Sequence, residues 1–243
     1  GSFIVATDHW SKIYNNYAPK FEKFINLDKY TDILLINARG QIMFTANKSR
    51  DLGANLISGR LSETNLAVLW DYVQKNGKAN ISDFQKYAPN HNAVVTFTGA
   101  PIIVNNQVIG IVALEYPVSV LNQIMKQNDG MGNTGEAFIV GDDDLMRSDA
   151  RLSEEKTTLT LKIRTQGIEK AFNGSSGTTN EIDYRGEETL MYYTPLEIEG
   201  LNWVIAAKID RSEVLEPTRT FNTGLLIIFV SLLLLLLLFS YLL

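Results

Sequence analysis

The sequence contains no cysteine and only two histidines, His9 and His91. The first absence excludes a disulfide scaffold, a thiolate zinc site and a cysteine nucleophile together. The second leaves too few imidazoles for a multi-histidine metal centre. Basic residues do not dominate: 22 Lys and Arg stand against 27 Asp and Glu, a formal charge of −5. A nucleic-acid footprint needs clustered Lys and Arg, so no nucleic-acid partner is expected. Catalytic signatures are missing as well. The chain has no G-x-S-x-G elbow, no H-E-x-x-H helix and no G-x-x-x-x-G-K-[ST] phosphate loop. No catalytic residue, cofactor or metal ligand is therefore assigned. Asp142-Asp143-Asp144 lacks the alternating ligands and terminal Glu of a calcium loop and reads as an acidic turn.

What is present is clearest at the C-terminal end. Gly224 to Leu243 form a run of twenty uncharged residues, unbroken leucine from Leu232 to Leu238. At about 1.5 Å per residue the run spans roughly 30 Å, the thickness of a bilayer's hydrocarbon core. It has no polar face to show water, so a membrane span is expected rather than a core helix. At the other end, Phe3-Ile4-Val5-Ala6 reads as the tail of a first span. The 243 residues between and including these ends can build one large core or two small ones.

Along the chain the hydrophobic period changes repeatedly. Trp10, Ile13, Tyr14, Tyr17, Phe21, Phe24 and Ile25 recur at spacings of three and four, which predicts a helix over 7–27 that Pro19 should kink or interrupt. Asp32–Ile36 and Gln41–Thr45 flank the turn Asn37-Ala38-Arg39-Gly40, a hairpin pattern. A helix over 62–76 ends at Asn76-Gly77, and strands follow at 93–98, 101–104 and 108–114 before Pro117 opens another helix. The order then recurs: a strand at 136–140, a return at 145–148, a helix near 165–173, and strands at 180–184, 189–194, 196–198 and 202–209. Ser212 is placed to cap a last helix entering the span. This internal repeat predicts an α+β fold of two PAS-like antiparallel-sheet units. The expected divisions are an N-terminal signalling and dimer helix at 1–29, a membrane-distal unit at 30–130, a membrane-proximal unit at 131–212, and a juxtamembrane and transmembrane helix at 213–243.

Five phrases carry a resemblance. They are DILLINARGQIMFT (32–45), FQKYAPNHNAVVTFTGAPI with NNQVIGIVALEYPVSVLNQIM (84–125), GNTGEAFIVGDDDLMRSDARL (132–152), DYRGEETLMYYTPL (183–196) and LNWVIAAKID (201–210). In this order they resemble the double Cache sensor domains of prokaryotic chemoreceptors and sensor histidine kinases, over nearly the whole chain. The resemblance implies an extracytoplasmic, periplasmic or extracellular, sensor anchored in the cell inner membrane. It implies a small-molecule ligand in the distal unit (amino acid, carboxylate or amine), a homodimer, and output through the membrane helix to a cytoplasmic domain. Amino-acid-binding members carry a Tyr, Arg, Trp-Tyr constellation and a later Asp; here Trp70 and Tyr72 lie on a helix instead, and the pattern does not overlay. A different class, a membrane-anchored structural or adhesion module without a ligand, stays open.

Ligand pockets are mostly apolar with a few directed polar groups. The candidates for such a pocket in the distal unit are Arg60, Trp70, Asp83, Tyr87, Thr96 and Thr98. Arg60 could pair with a carboxylate, or simply be a solvated loop residue. Asp83 could receive a cation, or face water. Tyr87, in a proline-containing loop, could line a site or anchor the loop. Thr96 and Thr98 share one strand face, directed either into the pocket or out to solvent. Trp70 sits on an apolar helical face that also suits the core. Arg147 with Asp149 is read as structural.

Overall fold

The computed structural model describes residues 8–242, so the apolar segment Phe3-Ile4-Val5-Ala6 lies outside the described residues. The chain opens with α1 (Asp8–Asp28), then β1 (Asp32–Asn37), β2 (Ile42–Thr45), α2 (Asn65–Asn76), β3 (Asn80–Ile81) and β4 (Gln85–Tyr87). After a short 3₁₀ turn come β5 (Ala93–Val104), β6 (Gln107–Pro117) and α3 (Val118–Met125). The second half contributes β7 (Glu136–Gly141), α4 (Gln166–Phe172), β8 (Gly177–Ile182), β9 (Glu188–Ile198), β10 (Leu201–Asp210) and α5 (Arg211–Leu242).

These strands make two antiparallel sheets. The distal sheet runs β2-β1-β6-β5-β3, with β4 also on β5, and the proximal sheet runs β7-β10-β9-β8. The run β1-β6-β5 in one therefore corresponds to β7-β10-β9 in the other, each with a helix inserted after the first strand or hairpin. On one face of the distal sheet, Leu34, Ile36, Phe97, Ile111 and Ala113 pack against Leu66, Leu69 and Val73 of α2. On the other face α1 supplies Tyr14, Ala18 and Phe21 over Ile33, Phe44 and Leu114. The proximal core joins Phe138, Val140, Met191, Tyr193 and Val204 to Ile168 and Ala171 of α4. Fully burying each large apolar side chain is worth about 1.5–3 kcal/mol.

Local chemistry fixes the element ends. Thr64 caps α2 by accepting from the Ala67 N–H, and Gly77 closes it in the left-handed conformation (φ 63°), donating to the Val73 carbonyl. In the β1–β2 turn, the Asn37 side chain accepts from the backbone N–H groups of Arg39 (2.9 Å) and Gln41 (3.0 Å).

Several expectations are corrected. α1 continues as helix through Pro19; a proline deletes only one backbone bond, and the aromatic stripe on the sheet holds the helix on both sides. The two strands expected at 93–98 and 101–104 are one, β5. Pro101 sits where β5 has β6 on one side and β3 has already ended at the Asn80–Gly99 pair, so its missing N–H costs no ladder bond. The return strand at 145–148 is not a ladder. Met146 bridges Val140 while Leu145 bridges Lys162, so the segment divides its pairing between two neighbours. Strands 189–194 and 196–198 likewise merge in β9, and the last helix begins at Arg211 rather than after Ser212. α5 is one helix from there to Leu242, long and apolar enough to cross a membrane, with none of its apolar window buried.

Candidate functional site

The inner face of the distal sheet is apolar along most of its length and acidic at one end. Asp32 in β1 pairs directly with Glu115 in β6. Strand alternation places both on the face of Leu34, Ile36, Ile111 and Ala113. Asp51 joins them from the loop after β2. All three are at most 2% exposed, and none forms an ion pair among the described residues. Asp32 is well satisfied: it accepts from the N–H groups of Ile33 (2.7 Å) and Asn47 (3.1 Å) and from the Ser49 hydroxyl. Glu115 accepts from the Asn90 side-chain amide. Asp51 Oδ2 accepts from the Tyr87 hydroxyl at 2.7 Å, while Asp51 Oδ1 is buried with no partner.

This grouping raises all three carboxyls. Burial pushes Asp51 up to about 6, with nearby Asp32 adding to the rise and the Tyr87 hydrogen bond opposing it. Burial likewise pushes Glu115 up to about 7, against the Asn90 hydrogen bond and with Asp32 and Asp51 adding to it. Asp32 is raised by burial despite its hydrogen bonds. Desolvation disfavours the charged form, and neighbouring like charges compound it. Shifted carboxyls gathered in one place mark a candidate functional site.

Beside this cluster lies a cleft of about 860 Å3, bounded by Arg50, Gly53, Asn55, Arg60, Leu61 and Pro89 among others. Asp51 adjoins Arg50 in sequence and Tyr87 adjoins the lining residue Ala88, so the Asp51–Tyr87 pair sits behind the cleft wall. Arg50 and Arg60 are exposed and make no ion pair among the described residues. Of the expected residues only Arg60 lines this cleft; Tyr87 is fully buried beside Asp51, next in the chain to the lining residue Ala88. The structure places Trp70 in the core, where its indole N–H donates to the Asn37 carbonyl at 3.1 Å. Thr96 and Thr98 lie on the strand face opposite Phe97, their hydroxyls donating to the carbonyls of Ser82 and Asn80.

Asp83 is elsewhere again, at the junction of the two sheets. Arg147 grips it with two parallel bonds, Nε to Oδ1 and Nη2 to Oδ2, each 2.7 Å. The Trp203 indole N–H adds a third contact to Asp83 Oδ1 at 3.1 Å. Arg147 also donates to Asp143 Oδ1 and the Leu145 carbonyl, both at 2.8 Å. Its side chain is only 3% exposed. Gly141 is required here: a Cβ at that position would stand 2.2 Å from the guanidinium carbon. Phe84 stacks on Trp203 with centroids 5.7 Å apart, within an apolar cluster that also holds Met125 and Ile139. Asn65, at the start of α2, donates to the Asp83 carbonyl at 2.9 Å. One short segment, 83–87, therefore touches α2, the acidic cluster and the proximal sheet.

The proximal unit buries a second charged group. Lys208 Nζ lies 2.8 Å from Glu136 Oε1, contacts Asp183 Oδ2, and sits 4.6 Å from the Tyr184 ring centre. Burial alone would raise Asp183, but the Lys208 and Arg185 hydrogen bonds hold it below the usual carboxylate range. Among the described residues no group of three His, Asp or Glu is arranged to hold a metal.

Set against known proteins, residues 5–218 match the family model for the Cache domain. Among curated protein sequences, none matches. Solved structures share the fold at low identity. The ligand binding domain of a Pseudomonas aeruginosa amino acid chemoreceptor, in complex with L-arginine, aligns with a TM-score of 0.55 at 14% identity, over 84% of each chain. The Campylobacter jejuni chemoreceptor domain in complex with 4-methylisoleucine aligns with a TM-score of 0.58 at 11% identity, over 86% of this chain and 75% of that one. The chain spans 35% of an extracellular ligand binding receptor from Desulfohalobium retbaense, with a TM-score of 0.58 at 14% identity. The family model covers both sheets and the helix before them, and this chain is a member of the Cache domain family.

Proposed function

We propose that the chain is the extracytoplasmic ligand-sensing region of a transmembrane receptor of the chemoreceptor or histidine-kinase type, held in the cell inner membrane by α5. Its distal unit, residues 30–130, takes a small molecule bearing a protonated amine. The observation that carries this reading is the buried carboxyl cluster with no cation of its own and one unpartnered oxygen, Asp51 Oδ1. A ligand ammonium near Asp51 and Glu115 would supply the missing charge. Arg50 and Arg60 at the cleft rim would suit a carboxylate on the same molecule, and several fold neighbours are described in complex with amino acids. The proximal unit, residues 131–212, passes the bias to α5. Ligand binding can shift such a balance only through its different affinity for the two states. The segment 83–87 joins the acidic cluster to Arg147 and Trp203 and is the route we assign to it.

Thermal unfolding of the chain in detergent, screened against amino acids, simple amines and simple carboxylates, tests the assignment. A bound amine at a hundred times its dissociation constant should add about 2.7 kcal/mol of stability. Stabilisation by carboxylates lacking an amine, with none by amines, would refute it. Silence across the whole library would favour a ligand-free anchoring module.

We also assign α1 to a homodimer interface. Ile13, Tyr17 and Phe24 stay 43%, 47% and 58% exposed although α1 packs its other face on the distal sheet. Their spacing forms one stripe on the helix, and such a surface is usually covered by a partner. Phe24→Glu should shift the sedimentation of the solubilised chain from dimer towards monomer without lowering its melting temperature. An unchanged dimer would place the interface elsewhere.

A further inference from the structure

The proximal unit holds a cavity of its own, of about 220 Å3. At roughly 30 Å3 per water it has room for about seven. Phe138 and Met191 give it apolar wall, and Lys208 and Glu181 give it charged wall. The polar groups are incompletely used. An ammonium has three N–H donors; Lys208 directs two at Glu136 and Asp183. Glu181 Oε1 accepts from the Gly167 N–H, but Glu181 Oε2 is buried with no partner. The cavity therefore presents one unpartnered acceptor, Glu181 Oε2, and an ammonium, shared between two carboxylates and the Tyr184 ring, that a ligand carbonyl could also meet, beside apolar surface, the composition of a small-molecule site.

We infer that this cavity is a second ligand site, separate from the distal cleft, for a small uncharged molecule with a carbonyl next to an N–H, a primary carboxamide being the simplest. The surrounding charges select that class. Of the basic lining residues, Lys162 and Arg164 are exposed at the rim, so the buried wall sets Glu181 and Asp183, with Glu136 behind them, against a bound anion and Lys208 against a bound cation. A neutral amide can accept from Lys208 and donate to Glu181 without leaving a new charge buried. The size limits the molecule to a handful of heavy atoms, far smaller than the distal cleft admits.

The five methionines provide a test. Met191 lines this cavity, whereas Met43 lies on β2 of the distal unit. The full chain, labelled with ¹³C-methyl methionine and held in lipid nanodiscs, would be titrated with propionamide, propionate and propylamine. The expected result is a saturable shift of the Met191 methyl with propionamide, little response to the two ions, and an unmoved Met43. Glu181→Gln should weaken the propionamide response about tenfold, by loss of one charge-assisted acceptor. Unaltered Met146 and Met125 resonances would report that this variant is folded; should it unfold, Thr189→Val, which removes the hydroxyl that donates to the Glu181 carbonyl and so loosens this part of the wall, takes its place and should weaken the response. A Met191 methyl that never saturates, or that answers propionate as well as propionamide, would overturn the assignment. Both readouts are confined to the proximal unit, so they stand whether or not an amine binds at the distal cleft.

Discussion

Replacing Asp83 with alanine is expected to cost the fold about 2–3 kcal/mol, well above the loss for an ordinary surface carboxylate. The estimate follows from what is left behind. Arg147 is 3% exposed, and Asp83 supplies two of its three carboxylate hydrogen bonds. Without Asp83 the guanidinium retains Asp143 and the Leu145 carbonyl, which moderates the penalty for a buried charge. Trp203 loses its indole acceptor at the same time. Asp83 is itself about a third exposed, which is why the figure stays below the range for a wholly buried pair. Removing the charge from both sides, in Asp83→Ala with Arg147→Met, should restore part of the loss, giving a coupling energy of about 1–2 kcal/mol in urea unfolding. Strict additivity would mean that the pair holds no energy in common. Function should respond differently from stability. In the double variant a distal ligand should still bind, yet no longer slow hydrogen exchange in β10 around Trp203, because the polar link between the sheets is gone.

How much of this was legible in the sequence depends on the range of the interaction. Elements set by local chemistry were readable: Gly77 ends α2 where the Asn76-Gly77 pair predicted it, and the leucine run from Leu232 is helix. The repeat was readable because two α+β units leave the same order of periods. The direction of a strand's faces was not. Thr96 and Thr98 alternate with Val95 and Phe97, and nothing local says which pair looks towards α2; the contact with Leu69 and Val73 decides it. Asp83 looked like a loop acid because its partners stand 64 and 120 residues away. Arg147 reads naturally with Asp149, two residues on, but turns instead to Asp83 and Asp143, while Asp149 binds Asn122. Glu115 did leave a signal. It continues the inward parity of Ile111 and Ala113 in a strand that is otherwise apolar there, and a charge at such a position is costly unless it is used. Asp51, in an irregular loop, left none.

The acid cluster makes a prediction about pH whose sign is opposite to that of most ion-paired carboxylates. A carboxyl raised on folding stabilises the fold fully below its unfolded value, about 4, and that contribution is lost as pH rises through the folded value. With Asp51 raised to about 6 and Glu115 to about 7, the unliganded chain should lose stability between about pH 4 and 7. Each carboxyl accounts for on the order of 2 kcal/mol. Asp143 and Asp183 are lowered by their basic partners, so their loss falls in a separate window near and below pH 4. Asp51→Asn keeps an acceptor for the Tyr87 hydroxyl while removing the buried charge. Its melting temperature at pH 8 should exceed that of the parent, with a flatter slope above pH 5. Amine binding should fall at least about tenfold, since a charge-assisted contact is lost. The same logic makes the parent's amine affinity rise with pH up to about 7, as first Asp51 and then Glu115 ionise. Stability against pH should therefore fall over this interval without an amine and stay nearly level with an amine saturating the site. Were the two curves parallel, the buried carboxyls would be tuned to the fold alone, and the amine proposed for the distal unit would have to bind away from them.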